Sequence, residues 1–295
     1  MYSGILVIDK PKEWTSHDVV AKLRGVLRQK RIGHGGTLDP MATGVLPIFV
    51  GRATRAAEFC ENAEKEYIAG IKFGITTDTQ DITGNVLETN NITVSVNALA
   101  DILPQFQGQL KQIPPMYSAV KQNGKKLYEL ARKGIEVERK ARDIVISKLE
   151  LLSETPENAD TDYTLRIACS KGTYIRTLCH NIGTALGCGA TLSSLRRTKA
   201  GVYGLDGACT LDDIISAAES DTIGDLLLPI DSIFSELPSI VLNEIDTRKI
   251  KNGVRIKVLD KGDGRYKVYA PGSEFLVLGE VQNCELRSVK SFFEV

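Results

Sequence analysis

The sequence predicts an α+β fold in which helices flank a mixed, mostly antiparallel sheet, with a small β-rich module at the C-terminus. Extended apolar segments such as "GILVID", "EYIAGIKFGI", "DIVISKLELLS" and "DYTLRIACS" lie far apart in the chain. Helical patterns of unequal length separate them, with no regular strand-helix alternation. The 295 residues, 42% of them hydrophobic, suffice for one large core and a second small one. Composition changes after a Pro-punctuated acidic stretch near Pro238, dividing the chain into a domain at 1–238 and another at 239–295.

"GILVID" ends at Lys10-Pro11 and predicts a short buried strand. "TSHDVVAKLRGVLRQKR" offers Thr15 or Ser16 as N-cap and places Val19, Val20, Leu23, Val26 and Leu27 at helical spacing. Its bases fall largely off that stripe and lead into the Gly-rich "GHGGTLDPMATGVLPIFVGRATR". "GNVLET" predicts a further strand. "VNALADILPQFQ", "KKLYELARKG" and "TYIRTLCHNIGTALG" predict helices, the last with Ile175, Leu178, Ile182, Ala185 and Leu186 on one face. "LDDIISAAES" predicts another helix, and the module is expected to use "VRIKVL", "GRYKVYAP", "EFLVLGEV" and "KSFFEV" as strands.

A net charge of zero hides segregation along the chain. Residues 21–57 carry seven bases and one acid, Asp39; residues 163–205 carry six bases and no acid; residues 206–236 carry eight acids and no base. Residues 121–142 add eight bases against three acids. Such segregation predicts one positive face, the footprint of a polyanion binder, with an ordinary solvated surface as the alternative. The sequence has neither a long apolar run nor a signal-peptide pattern at its start, so no membrane contact and a cytoplasmic location are expected. Six cysteines without C-x-x-C or zinc-like spacing predict buried free thiols.

"GHGGTLDP" lacks the phosphate-cradling G-x-x-x-x-G-K-[ST] pattern, so its glycines suit a loop that holds a side chain against a bulky ligand. Asp39, biased to extended backbone by Pro40, is either a turn residue or a chemical tool. Tyr67 and Arg176 favour the second role: a carboxylate nucleophile or base, a stacking phenol, and a cation that keeps the carboxylate ionised and aimed. Singly, Tyr67 fits a strand aromatic and Arg176 a helix-face ion pair. His34, between glycines, fits a ligand contact or a surface turn. Asp78 and Asp81 in "TTDTQDITG" miss the calcium-loop pattern and have no nearby His, so they predict a turn and no metal site.

Together with "DKPKEWTSHDVV", "IPPMYSAVKQNGKKLYELARKG" and "CSKGTYIRTLCHNIGTALGCGATLSSLRRTKAG", these motifs resemble the TruB family of bacterial tRNA pseudouridine synthases. The collinear match covers almost the whole chain, and "GHGGTLDPM" in place of the relatives' "GHTGALDPL" disturbs no role. The resemblance implies the pseudouridine synthase fold with a short PUA-like C-terminal domain, and a cofactor-free isomerase acting on uridine 55 in the tRNA T-loop. It implies that Asp39 is the catalytic aspartate, Tyr67 the active-site tyrosine and Arg176 the aspartate's partner. His34 falls at the histidine that wedges into the T-loop, and Lys10, Tyr174 and Leu195 at residues lining the uracil pocket. Arg55, Arg196 and Arg197 are expected to contact RNA, and residues 113–142 to form a thumb-like insertion. The partner implied is the tRNA T-arm stem-loop, with no obligatory protein partner. Because the chain begins at the first motif, a stand-alone enzyme is expected over a guide-RNA-dependent relative. The competing classes are a non-catalytic RNA-binding or tRNA-folding module and a metal-dependent phosphoryl-transfer enzyme using Asp78 and Asp81.

Overall fold

A computed structural model describes residues 1–153 and 161–294. Strand β1 (Gly4–Lys10) leads to helix α1 (Ser16–Val26), which Thr15 caps. The Thr15 hydroxyl accepts from the Asp18 N–H while the Asp18 carboxylate accepts from the Thr15 N–H, a reciprocal cap. Strands β2 (Ile32–His34) and β3 (Thr43–Val50) flank the Gly-rich loop, and helix α2 (Ala57–Asn62) precedes β4 (Lys65–Phe73). A hairpin of β5 (Ile75–Thr77) and β6 (Val86–Thr89), helix α3 (Val96–Ile102) and β7 (Gly108–Gln112) lead to the insertion. It contains β8 (Lys121–Gln122), β9 (Lys125–Lys126) and the short helix α4 (Leu127–Ala131). After β10 (Arg142–Ser153) and β11 (Tyr163–Cys169) come α5 (Ile175–Ala185), β12 (Ala190–Ala200), β13 (Tyr203–Gly204), α6 (Leu211–Glu219) and α7 (Ile223–Leu226).

The main sheet has nine strands, ordered β1-β3-β12-β4-β11-β10-β7, with β2 beside β3 and β13 beside β12. Only β3 and β12 run parallel in it among the described residues. The expected α+β architecture with a mixed, mostly antiparallel sheet is therefore present. Strands β1 and β3 are buried on both faces, which explains their unbroken apolar runs. Leu6, Ile8, Leu46 and Ile48 pack with helix residues Val19, Leu23 and Leu178. Ile5, Val7, Val45 and Phe49 face Phe234, which precedes the boundary at Pro238, and Leu278 and Phe292 from the C-terminal part.

That part forms a second, five-stranded sheet: β14 (Ser239–Val241), β15 (Ile256–Lys257), β16 (Gly264–Tyr269), β17 (Phe275–Gln282) and β18 (Glu285–Ser291), ordered β14-β16-β17-β18-β15. Helix α8 (Glu244–Lys251), which the sequence reading omits, packs Ile250 into its core. The strand expected at "KSFFEV" ends at Ser291, because Phe292 and Phe293 leave the ladder as buried plugs; Val295 lies outside the described residues. Of "VRIKVL" only Ile256 and Lys257 are strand. Cys60, Cys169, Cys179 and Cys188 are buried free thiols, whereas Cys209 is half-buried and Cys284 exposed, against the expectation that all six are buried.

Gly44 sits where the sheet changes direction, opposite Lys10 on one side and Arg197 on the other. Its φ is +99°, and a Cβ there would lie 2.2 Å from the Arg197 carbonyl oxygen. Gly44→Ala should therefore destabilise the protein by at least about 1–3 kcal/mol, measured as a lower urea midpoint at unchanged slope. An unshifted midpoint would contradict this packing.

Candidate active site

Asp39 lies in the loop between β2 and β3, and that loop is held along its length by bonds to its backbone. The Ser16 hydroxyl accepts from the Leu38 N–H at 2.8 Å and donates to the Leu38 carbonyl at 3.2 Å. The Arg197 guanidinium donates to the Gly36 carbonyl at 3.1 Å and the Val45 carbonyl at 2.7 Å, with the Thr37 carbonyl at 3.5 Å. Lys10 donates to the Trp14 carbonyl at 2.6 Å, the Pro11 carbonyl at 2.8 Å and the Pro40 carbonyl at 3.4 Å. The glycines answer two needs: Gly36 has φ +121°, and a Cβ on Gly35 would lie 2.7 Å from the Cys60 sulfur and the Phe49 ring.

The loop presents Asp39 to Arg176, on the first turn of α5. Arg176 Nε meets Asp39 Oδ2 at 3.0 Å. Nη1 donates to the Thr79 carbonyl at 2.8 Å and lies 3.5 Å from Asp81 Oδ2, while Nη2 donates to the Tyr117 carbonyl at 2.9 Å. The Arg176 and Asp81 side chains are 6% and 7% exposed, the Asp39 side chain 40%. A buried guanidinium with each nitrogen engaged thus holds one open carboxylate in place through its Nε. The other Asp81 oxygen accepts from the Thr79 and Thr83 hydroxyls and the Thr83 N–H. Asp81 forms the expected turn, but it also backs Arg176. Nothing in its local sequence signals that pairing, which joins residues 95 positions apart. No cluster of three metal-ligating side chains occurs among the described residues.

Tyr67 and Tyr174 both feel the charge of Asp39. Tyr67 stands on β4 opposite Arg197 of β12. Burial pushes its phenol up, the Arg197 charge opposes, and the Asp39 charge adds to the rise. Tyr174 caps α5; burial raises its phenol too, with the Ser118 hydroxyl opposing and Asp39 again adding. Leu195 is buried in β12 opposite Ala69. Lys10 is fully buried, and burial pulls its ammonium down to about 8 against the attraction of Asp39. With its donors on backbone carbonyls, Lys10 braces the Asp39 loop.

His34 ends strand β2, paired with Ile48, so it is not on the free turn that its flanking glycines suggest. Its Nδ1 is buried without a hydrogen-bond partner, and its ring meets His17 edge-on at 6.0 Å. Burial, with the His17 and Arg197 charges, lowers its pKa to about 4.

The expected RNA contacts of three arginines are altered. Arg197 is 1% exposed and spends its guanidinium on carbonyls, so it supports the loop and is unavailable to a phosphate. Arg55 donates to the Ser291 carbonyl at 3.1 Å and ties the end of β18 to the segment after β3. Arg196 forms a two-pronged bond to Asp9, at 3.1 and 2.7 Å, and its side chain stays 43% exposed. The strand β12, whose inward-facing side chains include Arg197, explains why an acid-free segment did not translate into a wholly exposed basic face.

Residues 24–175 match the family model described as "TruB family pseudouridylate synthase (N terminal domain)", and residues 176–235 match "tRNA pseudouridylate synthase B C-terminal domain". The two family models thus define a pseudouridylate synthase. A tRNA pseudouridine synthase B from Syntrophomonas wolfei is 46% identical over 282 residues, covering 95% of this chain and 94% of that protein. One from Clostridium kluyveri is 41% identical over 295 residues, covering 98% and 99%. A chain in the solved structure "Crystal Structure of a Cbf5-Nop10-Gar1 Complex" is similar with TM-score 0.74 and 26% identity, over 98% of this chain and 85% of that one. The chain belongs to the TruB family.

Two outcomes follow from the site's electrostatics. Arg176→Met leaves Asp81 buried and uncompensated and should cost about 3–5 kcal/mol in urea unfolding, whereas Asp39→Asn, at a half-open carboxylate, should cost far less; equal costs would contradict the geometry. Because His34 has a folded pKa below its unfolded value of 6.5, its stabilising contribution is present above pH 6.5 and is lost as pH falls toward about 4. His34→Gln should therefore flatten the stability-pH curve between those values, and an unchanged slope would contradict the buried imidazole.

Proposed function

We propose that the chain isomerises uridine 55 in the T-loop of tRNA to pseudouridine, with Asp39 as the catalytic carboxylate. The observation that carries this is the single open carboxylate on a buried guanidinium, beside two tyrosines. The names of the relatives support tRNA as the substrate. In the reaction the N1–C1′ bond breaks, the uracil turns while held, C5 bonds to C1′, C5 loses its proton and N1 gains one. Asp39 starts this by adding to uracil C6, by attacking C1′ or by taking the 2′ proton. Arg176 fixes the carboxylate for that approach. Tyr67 stacks on the base and helps remove the C5 proton, while Tyr174 and Leu195 wall the uracil pocket. The sequence is redox-neutral and calls for no cofactor.

A base inside a folded T-loop is inaccessible, so the nucleotide is flipped out at a cost of about a few kcal/mol. The His34 ring, largely neutral at pH 7, then stacks into the space vacated. Residues 1–238 act as the catalytic domain and residues 239–295 as a PUA-like RNA-binding domain. Residues 113–142 act as a thumb on the T-arm, with Lys121, Lys125, Arg132, Lys133 and Lys140 exposed for phosphates. The enzyme works in the cytoplasm without an obligatory protein partner. Among the described residues no helix is long and apolar enough to cross a membrane.

The test is tritium release from a tRNA transcript labelled at uridine C5. The native chain should release about one equivalent per tRNA, and Asp39→Asn none, with tRNA affinity within about threefold because the carboxylate acts mainly in the transition state. Substantial turnover by Asp39→Asn would remove Asp39 from its role. No release by the native chain despite tight tRNA binding would favour a binding module. Amide exchange across residues 113–142 should slow when tRNA is added, and equal protection with and without tRNA would contradict the thumb.

A further inference from the structure

Residue Gln112 has no part in the chemistry just described, yet it is 4% exposed and both ends of its amide are engaged. The Tyr174 N–H donates to Gln112 Oε1 at 2.8 Å, and Gln112 Nε2 donates to the Tyr174 carbonyl at 3.0 Å. Tyr174 is the N-cap of α5 and has no side-chain cap of its own; its carbonyl also takes the first helical bond, from Leu178 at 3.1 Å. Gln112 therefore fixes the backbone on both sides of the Tyr174 Cα, two residues before Arg176. It is also the last residue of β7, paired in register with Arg142 of β10, so both roots of the insertion emerge at this point. A second tie follows at once, where Arg176 holds the Tyr117 carbonyl.

We propose that Gln112 is a positioning residue for the isomerisation: by clamping the backbone N–H and carbonyl of Tyr174 to the root of the 113–142 insertion, it sets the reach of Arg176 and hence the aim of Asp39. This rests on the function proposed above. A side-chain amide is well suited to the task, since it supplies one acceptor to the N–H and one donor to the carbonyl of a single residue. Glutamate could keep the bond from the Tyr174 N–H but would turn a carboxylate oxygen toward the Tyr174 carbonyl. An insertion displaced by RNA would pull on the same clamp, so RNA engagement and carboxylate aim become one adjustment.

The experiment is single-turnover tritium release from C5-labelled tRNA by the native chain, Gln112→Ala, Gln112→Glu and Arg176→Lys, and by Gln112→Ala combined with Arg176→Lys. Gln112→Ala should lower the rate constant about 10- to 100-fold with tRNA affinity little changed, as expected when a catalytic group is misplaced by a fraction of an ångström to an ångström. In the Arg176→Lys background the same substitution should add much less than that factor, because both act through one contact. A role in folding alone would lower the amplitude of product in proportion to unfolded protein and leave the rate constant unchanged, and that result would overturn the inference. Equal factors in the two backgrounds would overturn it as well. Should Gln112→Ala not fold, Gln112→Glu carries the same two comparisons. If the native chain releases no tritium, the proposed function fails and not the clamp, whose loss would still show as faster amide exchange in the first turn of α5.

Discussion

The Arg176 guanidinium holds Asp39 through Nε, the Thr79 carbonyl and Asp81 through Nη1, and the Tyr117 carbonyl through Nη2. Those partners come from three separate stretches: the Gly-rich loop, the turn after β5, and the start of the insertion. Burying a guanidinium is costly unless its donors are all matched, and removing one carboxylate from such a group leaves the other charge exposed to a poor environment. The arrangement is therefore self-consistent only when all three stretches are in place. Of the three charged side chains in this cluster, Asp39 is the open one.

Three further buried cations repeat the device with backbone partners. Lys10, Arg197 and Lys65 are each less than 10% exposed, and each donates to carbonyl oxygens. Lys10 and Arg197 grip the Asp39 loop itself, while Lys65 collects the carbonyls of Cys60 and Ala63 at the end of α2. Cys60 in turn packs against Gly35 at the start of the loop. Positive charge here organises the backbone around a single acid, so part of what looks like an RNA-facing charge pattern is internal scaffolding.

Much of this was legible in the sequence, and the remainder was not, for physical reasons. The unbroken apolar runs of β1 and β11 follow from burial on both faces, the alternation in β10 from period-2 burial and the stripe of α5 from period-3.6 burial, and the loop around Asp39 announced itself by its glycines and its isolation from other acids. Strand β12 did not, because "TLSSLRRTKA" mixes polar and apolar residues and its buried arginine satisfies itself on carbonyls. Helix α8 carries few apolar residues and gains its place from packing against the small sheet. The backing of Arg176 by Asp81 and the grip of Gln112 on Tyr174 depend on contacts across 95 and 62 positions, which no local pattern encodes.

The most direct measurement of the central claim, that Asp39 works because Arg176 is anchored from behind, is the single-turnover rate of Asp81→Asn on tRNA. Asp81 lies behind the guanidinium, away from the open carboxylate. Anchoring predicts a rate constant lower by about tenfold or more, with tRNA affinity and product amplitude unchanged, since the loss falls on aim and not on binding. A native rate constant would show that Asp39 and Arg176 align without that support and would contradict the account.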